Sequence, residues 1–162
     1  KFPLQVFKAM REAWPSTKPM LVRISATDWA DGGTTVDDAV EIGVLFKEAG
    51  ADLIVVSSGE VVIEQQPVYG RMYQTPFADR IRNEAEVPTM AVGAIQHADH
   101  VNSIIAAGRA DLCAISRGML ANPAWVFYEA AKLGFDEVTW PLPYLWGKEW
   151  LQNSNNRPVL NN

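Results

Sequence analysis

The chain has 162 residues, 48% of them hydrophobic, enough for one packed domain and short for two. Its formal charge of −5, from 19 acidic and 14 basic residues, excludes a general attraction for nucleic acid or an anionic membrane. A single cysteine, Cys113, excludes an internal disulfide framework and fits a reducing, cytoplasmic compartment. No apolar run approaches the roughly 20 residues of a membrane span. The first residues, Lys1-Phe2-Pro3-Leu4, lack the apolar core of a signal peptide; with no initiating Met, they read as a processed or truncated end.

Residues 3–14 predict a helix, with Leu4, Phe7, Met10 and Ala13 or Trp14 at helical spacing. Pro15 and the polar run to Pro19 end it. Residues 20–24 are a short apolar run carrying Arg23, a strand by length and composition. A loop over 25–34 holds Trp29 and Gly32-Gly33. Thr35 is a good N-cap for the next helix, with Asp37 and Asp38 in its first turn and Gly50 just past its end. Residues 52–57 are almost continuously apolar, as expected of a strand covered on both faces of a parallel sheet. The long connection 58–75 has the length of a functional or mobile loop.

Residues 76–86 predict a helix with Pro76 in its first turn, and Pro88 precedes a strand over Thr89–Val92. A helix over 98–107 closes at Gly108, and residues 111–115 form the fourth strand. A helical turn follows Arg117, and a helix over 123–133 ends at Gly134. Residues 1–150 are expected to form the domain, and 151–162 a disordered tail. Repeated βα units imply a parallel sheet with right-handed crossovers. An open doubly wound sheet fits, and so does part of an eight-stranded barrel. A full barrel takes about 250 residues, so four units make half of one.

Two strand ends suggest chemistry. Val92-Gly93-Ala94 and Ile115-Ser116-Arg117 each leave an apolar strand through small residues toward a helical segment. Small residues let backbone N–H groups approach an anion, and the arginine fork donates two hydrogen bonds to phosphate oxygens. The same residues also read as a turn glycine and a surface charge. Arg23 within a strand is costly to bury without an anionic partner, which a structural salt bridge could supply. His97 and His100 read as a solvated helix face, since two histidines with no third ligand make no metal site. Cys113 reads as a small buried hydrophobe, and Asp28 as a loop cap. Trp140, Tyr144, Trp146 and Trp150 suggest a packed C-terminal aromatic cluster or a subunit contact.

Several stretches resemble the C-terminal half of the Old Yellow Enzyme family: Leu21-Val22-Arg23-Ile24-Ser25-Ala26-Thr27-Asp28-Trp29, Val55-Val56-Ser57-Ser58-Gly59, Tyr73-Gln74-Thr75-Pro76-Phe77-Ala78, Met90-Ala91-Val92-Gly93 and Gly108-Arg109-Ala110-Asp111-Leu112. The run from Pro67 to Arg80 is similar to the reductase-like domain of bifunctional salicylyl-CoA 5-hydroxylases. The resemblance implies an α/β fold, strands five to eight of a TIM (β/α)8 barrel. It implies FMN as cofactor, NAD(P)H as reductant and an activated alkene as substrate. It implies that Arg23 faces the flavin ring, and that Gly93, Ala94, Ser116 and Arg117 hold the FMN phosphate. Ser116 departs from the family's common glycine there. The loop around Tyr69 to Tyr73 is expected beside the substrate region. The family's catalytic residues lie on the first four βα units, so no catalytic residue and no metal is assigned to this chain. An N-terminal half-barrel or a second copy of the chain is expected to complete the ring. The rival reading is a non-catalytic half-barrel that binds FMN or another phosphorylated ligand.

Overall fold

Short aliphatic runs form the strands in the computed structural model, which describes residues 1–155: β1 (Leu21–Ser25), β2 (Leu53–Ser57), β3 (Thr89–Val92) and β4 (Leu112–Ala114). All pair in parallel, in the order β1-β2-β3-β4. Parallel neighbours need crossovers. Helices α2 (Val36–Glu48), α3 (Thr75–Glu84) and α4 (Ala98–Ala106) supply them, after an opening α1 (Phe2–Ala13). Beyond β4 come α5 (Arg117–Ala121), α6 (Trp125–Leu133), a 3-10 turn (Leu142–Tyr144) and α7 (Leu145–Asn155). This is an α/β fold of sequential βα units, the pattern of half a (β/α)8 barrel.

Local signals set the helix ends. Thr35 Oγ1 accepts the Asp38 N–H, and Asp38 Oδ2 accepts the Thr35 N–H (2.8 Å), a reciprocal cap. Gly50 follows α2 with φ +94°, and Pro76 lies in the first turn of α3.

The described residues form two compact units: Lys1–Ile95 with His100–Ala114, and Gln96–Asp99 with residues 115–155. In the first, the sheet has two unlike faces. Ile54, Val56, Thr89 and Ala91 share one face and are fully buried, with α2 and α3 packed against the sheet. The register places Leu21, Arg23, Val55, Met90 and Leu112 on the other. That face is open toward the sheet's outer strands, where Leu21 is 44% and Leu112 48% exposed, while Leu53, level with Leu21 on β2, is buried. Among the described residues, β1 and β4 each have a neighbour on one side only. Helix α1 docks on α2 through Phe7 and Phe46, whose rings meet edge to face at 5.3 Å.

The sheet is fastened twice at its starting edge. Asp52 Oδ2 accepts the Met20 N–H (2.7 Å) and pairs with Arg11 of α1 (3.3 Å). Asp111 Oδ2 accepts the Thr89 N–H (2.9 Å) and pairs with Arg82 of α3 (3.0 Å). The Asp52 and Asp111 N–H groups in turn donate to the Met20 and Thr89 carbonyls. Arg82 also donates to the Gly108 carbonyl (3.0 Å). Burial alone would raise the Asp111 carboxyl, but the Arg82 and Thr89 hydrogen bonds outweigh it and hold its pKa below the usual range.

In the second unit, Glu129 of α6 is 5% exposed and accepts the Ala98 N–H (2.8 Å), with Lys132 Nζ at 3.2 Å and His97 Nδ1 at 3.7 Å. Its carboxyl too is held low: burial opposes ionisation, and the Ala98 and Lys132 bonds win. The expected aromatic cluster does not form. Trp140 stacks on Phe127 (4.9 Å), while Tyr144, Trp146 and Trp150 are 61%, 82% and 66% exposed. Residues 151–155 continue α7, which Asp136 holds through Lys148 (3.1 Å) and Gln152 (2.7 Å). Residues 156–162 of the expected tail lie outside the described residues.

A depressed carboxyl pKa contributes stability that is present above the unfolded value, about 4, and is lost as pH falls through the folded one. Asp111→Asn removes the charge from its clamp and is expected to cost about 1–2 kcal/mol at pH 7. Urea midpoints from pH 7 to pH 3 should fall less steeply below pH 4 in the variant than in the parent chain. Parallel curves would show that the Asp111 charge does not fasten the sheet.

Candidate functional site

β3 and β4 run parallel with Val92 beside Ala114, so the chain leaves both at the same sheet edge. In α/β sheets of this kind, ligands bind outside that edge. Gly93 has φ +109°, and Ala94 follows at φ +50°. A non-glycine residue there stores about 1 kcal/mol, and the small side chains of both residues leave their backbone N–H groups open to close approach by an anion. Both residues are half-buried. The Ala94 N–H meets no acceptor among the described residues.

The corner is held from one side by the end of the long loop. Gln74 is 3% exposed. Its Nε2 donates to the Val92 carbonyl (2.8 Å), and its Oε1 accepts from the Ser58 hydroxyl (2.6 Å). The Met72 N–H donates to the Ala94 carbonyl (3.3 Å). A Cβ on Gly93 would collide with Gln74 Nε2 and stand 3.0 Å from Tyr73 Cε1. Glycine is therefore required there by close approach as well as by φ. The long loop is pinned at its other end too: the Gly59 N–H donates to Thr27 (2.8 Å) and the Gln66 N–H to Trp29 (2.8 Å).

Arg23 lies in the middle of β1, paired with Val55. The structural salt bridge that the sequence left open beside a flavin-ring role does not form among the described residues. Arg23 is exposed on the open face, its Nη2 donates to Ser57 Oγ (3.1 Å), and no carboxylate pairs with it among the described residues. An open face leaves the guanidinium hydrated, so no counter-charge is needed.

Ser116 and Arg117 open α5 in the second unit. The Ser116 carbonyl accepts the Leu120 N–H (3.0 Å), and its hydroxyl caps nothing. Arg117 is exposed and has no hydrogen-bond or ion-pair partner among the described residues.

The remaining candidates divide. Asp28 Oδ2 accepts the Thr34 N–H (2.7 Å), which makes it the expected loop cap. Burial pushes the half-buried Cys113 thiol up, away from the reactive thiolate. His97 is exposed and faces Glu129, but His100 is 5% exposed. The solvated-face reading therefore fails for His100, which lies four residues before the buried Ile104 on the inward stripe of α4. Among the described residues, no group of three His, Cys, Asp or Glu side chains could hold a metal.

Two features escape sequence reasoning. Gln74 appears in a run that carries the resemblance, but no pattern signals its contact with Ser58 and Val92. The aspartate clamps had a usable signal, an internal repeat: Gly50-Ala51-Asp52-Leu53 against Gly108-Arg109-Ala110-Asp111-Leu112.

The sequence pattern of the NADH:flavin oxidoreductase / NADH oxidase family matches residues 1–134. The chain belongs to this family. It is 43% identical over 140 residues to an NADPH dehydrogenase of Geobacillus thermodenitrificans, covering 86% of this chain and 40% of the relative. It is 44% identical over 134 residues to an NADPH dehydrogenase of another Geobacillus strain, covering 83% and 38%. An NADPH dehydrogenase of Clostridium acetobutylicum is 39% identical over 145 residues, covering 89% and 42%. The chain thus spans about two fifths of the length of these relatives.

Two glycines separate the effects of conformation and contact. Gly32 has φ +75° with nothing within 4 Å of an added Cβ, whereas Gly93 has both a positive φ and the collision. Gly32→Ala is expected to cost about 1 kcal/mol and Gly93→Ala about 2–3 kcal/mol in urea unfolding. Equal losses would show that Gln74 does not press on the corner.

Proposed function

We propose that this chain is the C-terminal part of an FMN-dependent NAD(P)H:ene oxidoreductase and supplies its FMN-phosphate residues and a flavin-ring arginine. The observation that carries this reading is the Gly93–Ala94 corner, two successive positive-φ residues at the ligand-binding edge of the sheet.

The residues present fit the cofactor. Gly93 and Ala94 would hold the phosphate through backbone N–H groups. Arg117 carries a permanent charge and a planar fork with no competing partner among the described residues, and it would bind phosphate oxygens. Ser116 would add its N–H. Arg23, hydrated on the open face and steadied by Ser57, would offset negative charge on the reduced ring. The chemistry supplied with FMN bound is hydride transfer from NAD(P)H to an activated alkene. The relatives' name, NADPH dehydrogenase, supports NADPH as reductant. No residue of this chain is given a catalytic role, and the substrate's proton donor is sought outside it.

The run from Pro67 to Arg80 favours a finer placement, beside the reductase-like domain of salicylyl-CoA 5-hydroxylases, and the single cysteine, Cys113, favours a reducing, cytoplasmic location. No described helix is long and apolar enough to cross a membrane. The open sheet face and the free edges of β1 and β4 favour closure by an N-terminal half-barrel or a second copy. A second reading, a non-catalytic half-barrel binding FMN or another phosphorylated ligand, is favoured by the corner itself, which has no feature that selects FMN over another phosphate.

FMN titration followed by flavin absorbance tests the cofactor reading. The chain is expected to bind FMN, and Arg117→Ala to weaken binding about ten-fold or more. Unchanged affinity removes Arg117 from the site. NADPH oxidation by the FMN-loaded chain would favour the enzyme over the binding module. Light scattering tests closure: a stable soluble monomer would refute a self-paired ring.

A further inference from the structure

We propose that Gln74 is a positioning residue for the anion corner: its buried amide fixes the direction in which Gly93 and Ala94 present their N–H groups. The inference rests on the phosphate reading above and extends it to a residue that need not touch the ligand.

The argument is one of geometry. The corner is strained at Ala94, whose φ is +50°, directly after Gly93 at φ +109°. Such a turn persists only where its surroundings over-determine it. Gln74 supplies that determination from below. Its amide is used at both ends, donating to the Val92 carbonyl (2.8 Å) and accepting from Ser58 Oγ (2.6 Å). Ser58 directly follows β2, and Val92 ends β3. One side chain therefore ties two strand ends together, immediately before the anion corner. It also fills the space that a Cβ at Gly93 would need. Gln74 is 3% and Ser58 7% exposed, so water does not compete for these bonds.

A glutamine is specific here because the site needs a donor and an acceptor on one planar group. Glutamate retains the acceptor and the shape. At neutral pH, however, its second oxygen faces the Val92 carbonyl with no hydrogen to donate. Protonation restores an O–H donor.

The test follows the Gly93 and Ala94 amide resonances of the full chain during titration with FMN and, separately, riboflavin. In the parent chain FMN should shift both amides and riboflavin neither. Gln74→Glu should weaken FMN binding at these amides about ten-fold at pH 7.5. Riboflavin affinity should change less than two-fold. Relative to the parent chain at the same pH, the loss should shrink at pH 5. Ser58→Ala, a gentler change at the other end, should weaken FMN about three-fold and replaces the glutamate variant if that chain is unfolded. A folded variant whose FMN affinity stays within two-fold of the parent overturns the role of Gln74 and leaves the phosphate reading standing. An equal loss of FMN and riboflavin affinity also overturns it, because that is the effect of general destabilisation. Amides that do not respond to FMN in the parent chain overturn the phosphate reading itself.

Discussion

The sheet depends on how its strands begin. A parallel strand has no hairpin to set its register, so something must fix where each one starts. Here two aspartates do so. Asp52 and Asp111 each accept the N–H of Met20 or Thr89 and return their own N–H to the same residue's carbonyl. An arginine from the helix before the first strand of each clamped pair, Arg11 of α1 or Arg82 of α3, braces the carboxylate. Register set at one edge is carried along the strands, so Ser25 comes level with Ser57 and Val92 with Ala114 at the other. The candidate anion corner starts one residue beyond Val92, and its placement follows from those aspartates.

The two faces of the sheet obey different rules. On the covered face even a hydroxyl is enclosed: Thr89 is fully buried and donates weakly to the Ala78 carbonyl (3.4 Å). On the open face a full positive charge costs little, because Arg23 keeps its water. Such a charge is affordable in this chain as it stands. Closing the ring would desolvate Arg23 and make an anionic neighbour, such as a reduced flavin, energetically welcome.

Much of the fold is legible in the residues. Thr35 with Asp38, Gly50 and Pro76 announce their helix ends, and the continuous run Leu53-Ile54-Val55-Val56 announces a strand enclosed in a parallel sheet. These signals are local, and local geometry decides them. The misreadings concern residues whose surroundings come from distant parts of the chain. His100 looks solvated until α4 turns it inward, and Trp146 and Trp150 look like core until α7 leaves them exposed. The candidate site is legible only in part. Gly93, Ala94 and Arg117 could be named from spacing and resemblance, but Gln74 reaches Ser58 across 16 residues and Val92 across 18, a pairing no short window contains.

The fastening of the sheet occurs twice in one chain with the same parts: a helix ending in arginine, a strand, a second helix, and an aspartate opening the next strand. A stretch of polypeptide built this way brings its own buckle. Such modules suit growth by gene duplication, with one rim left free to diversify while the other stays buttoned.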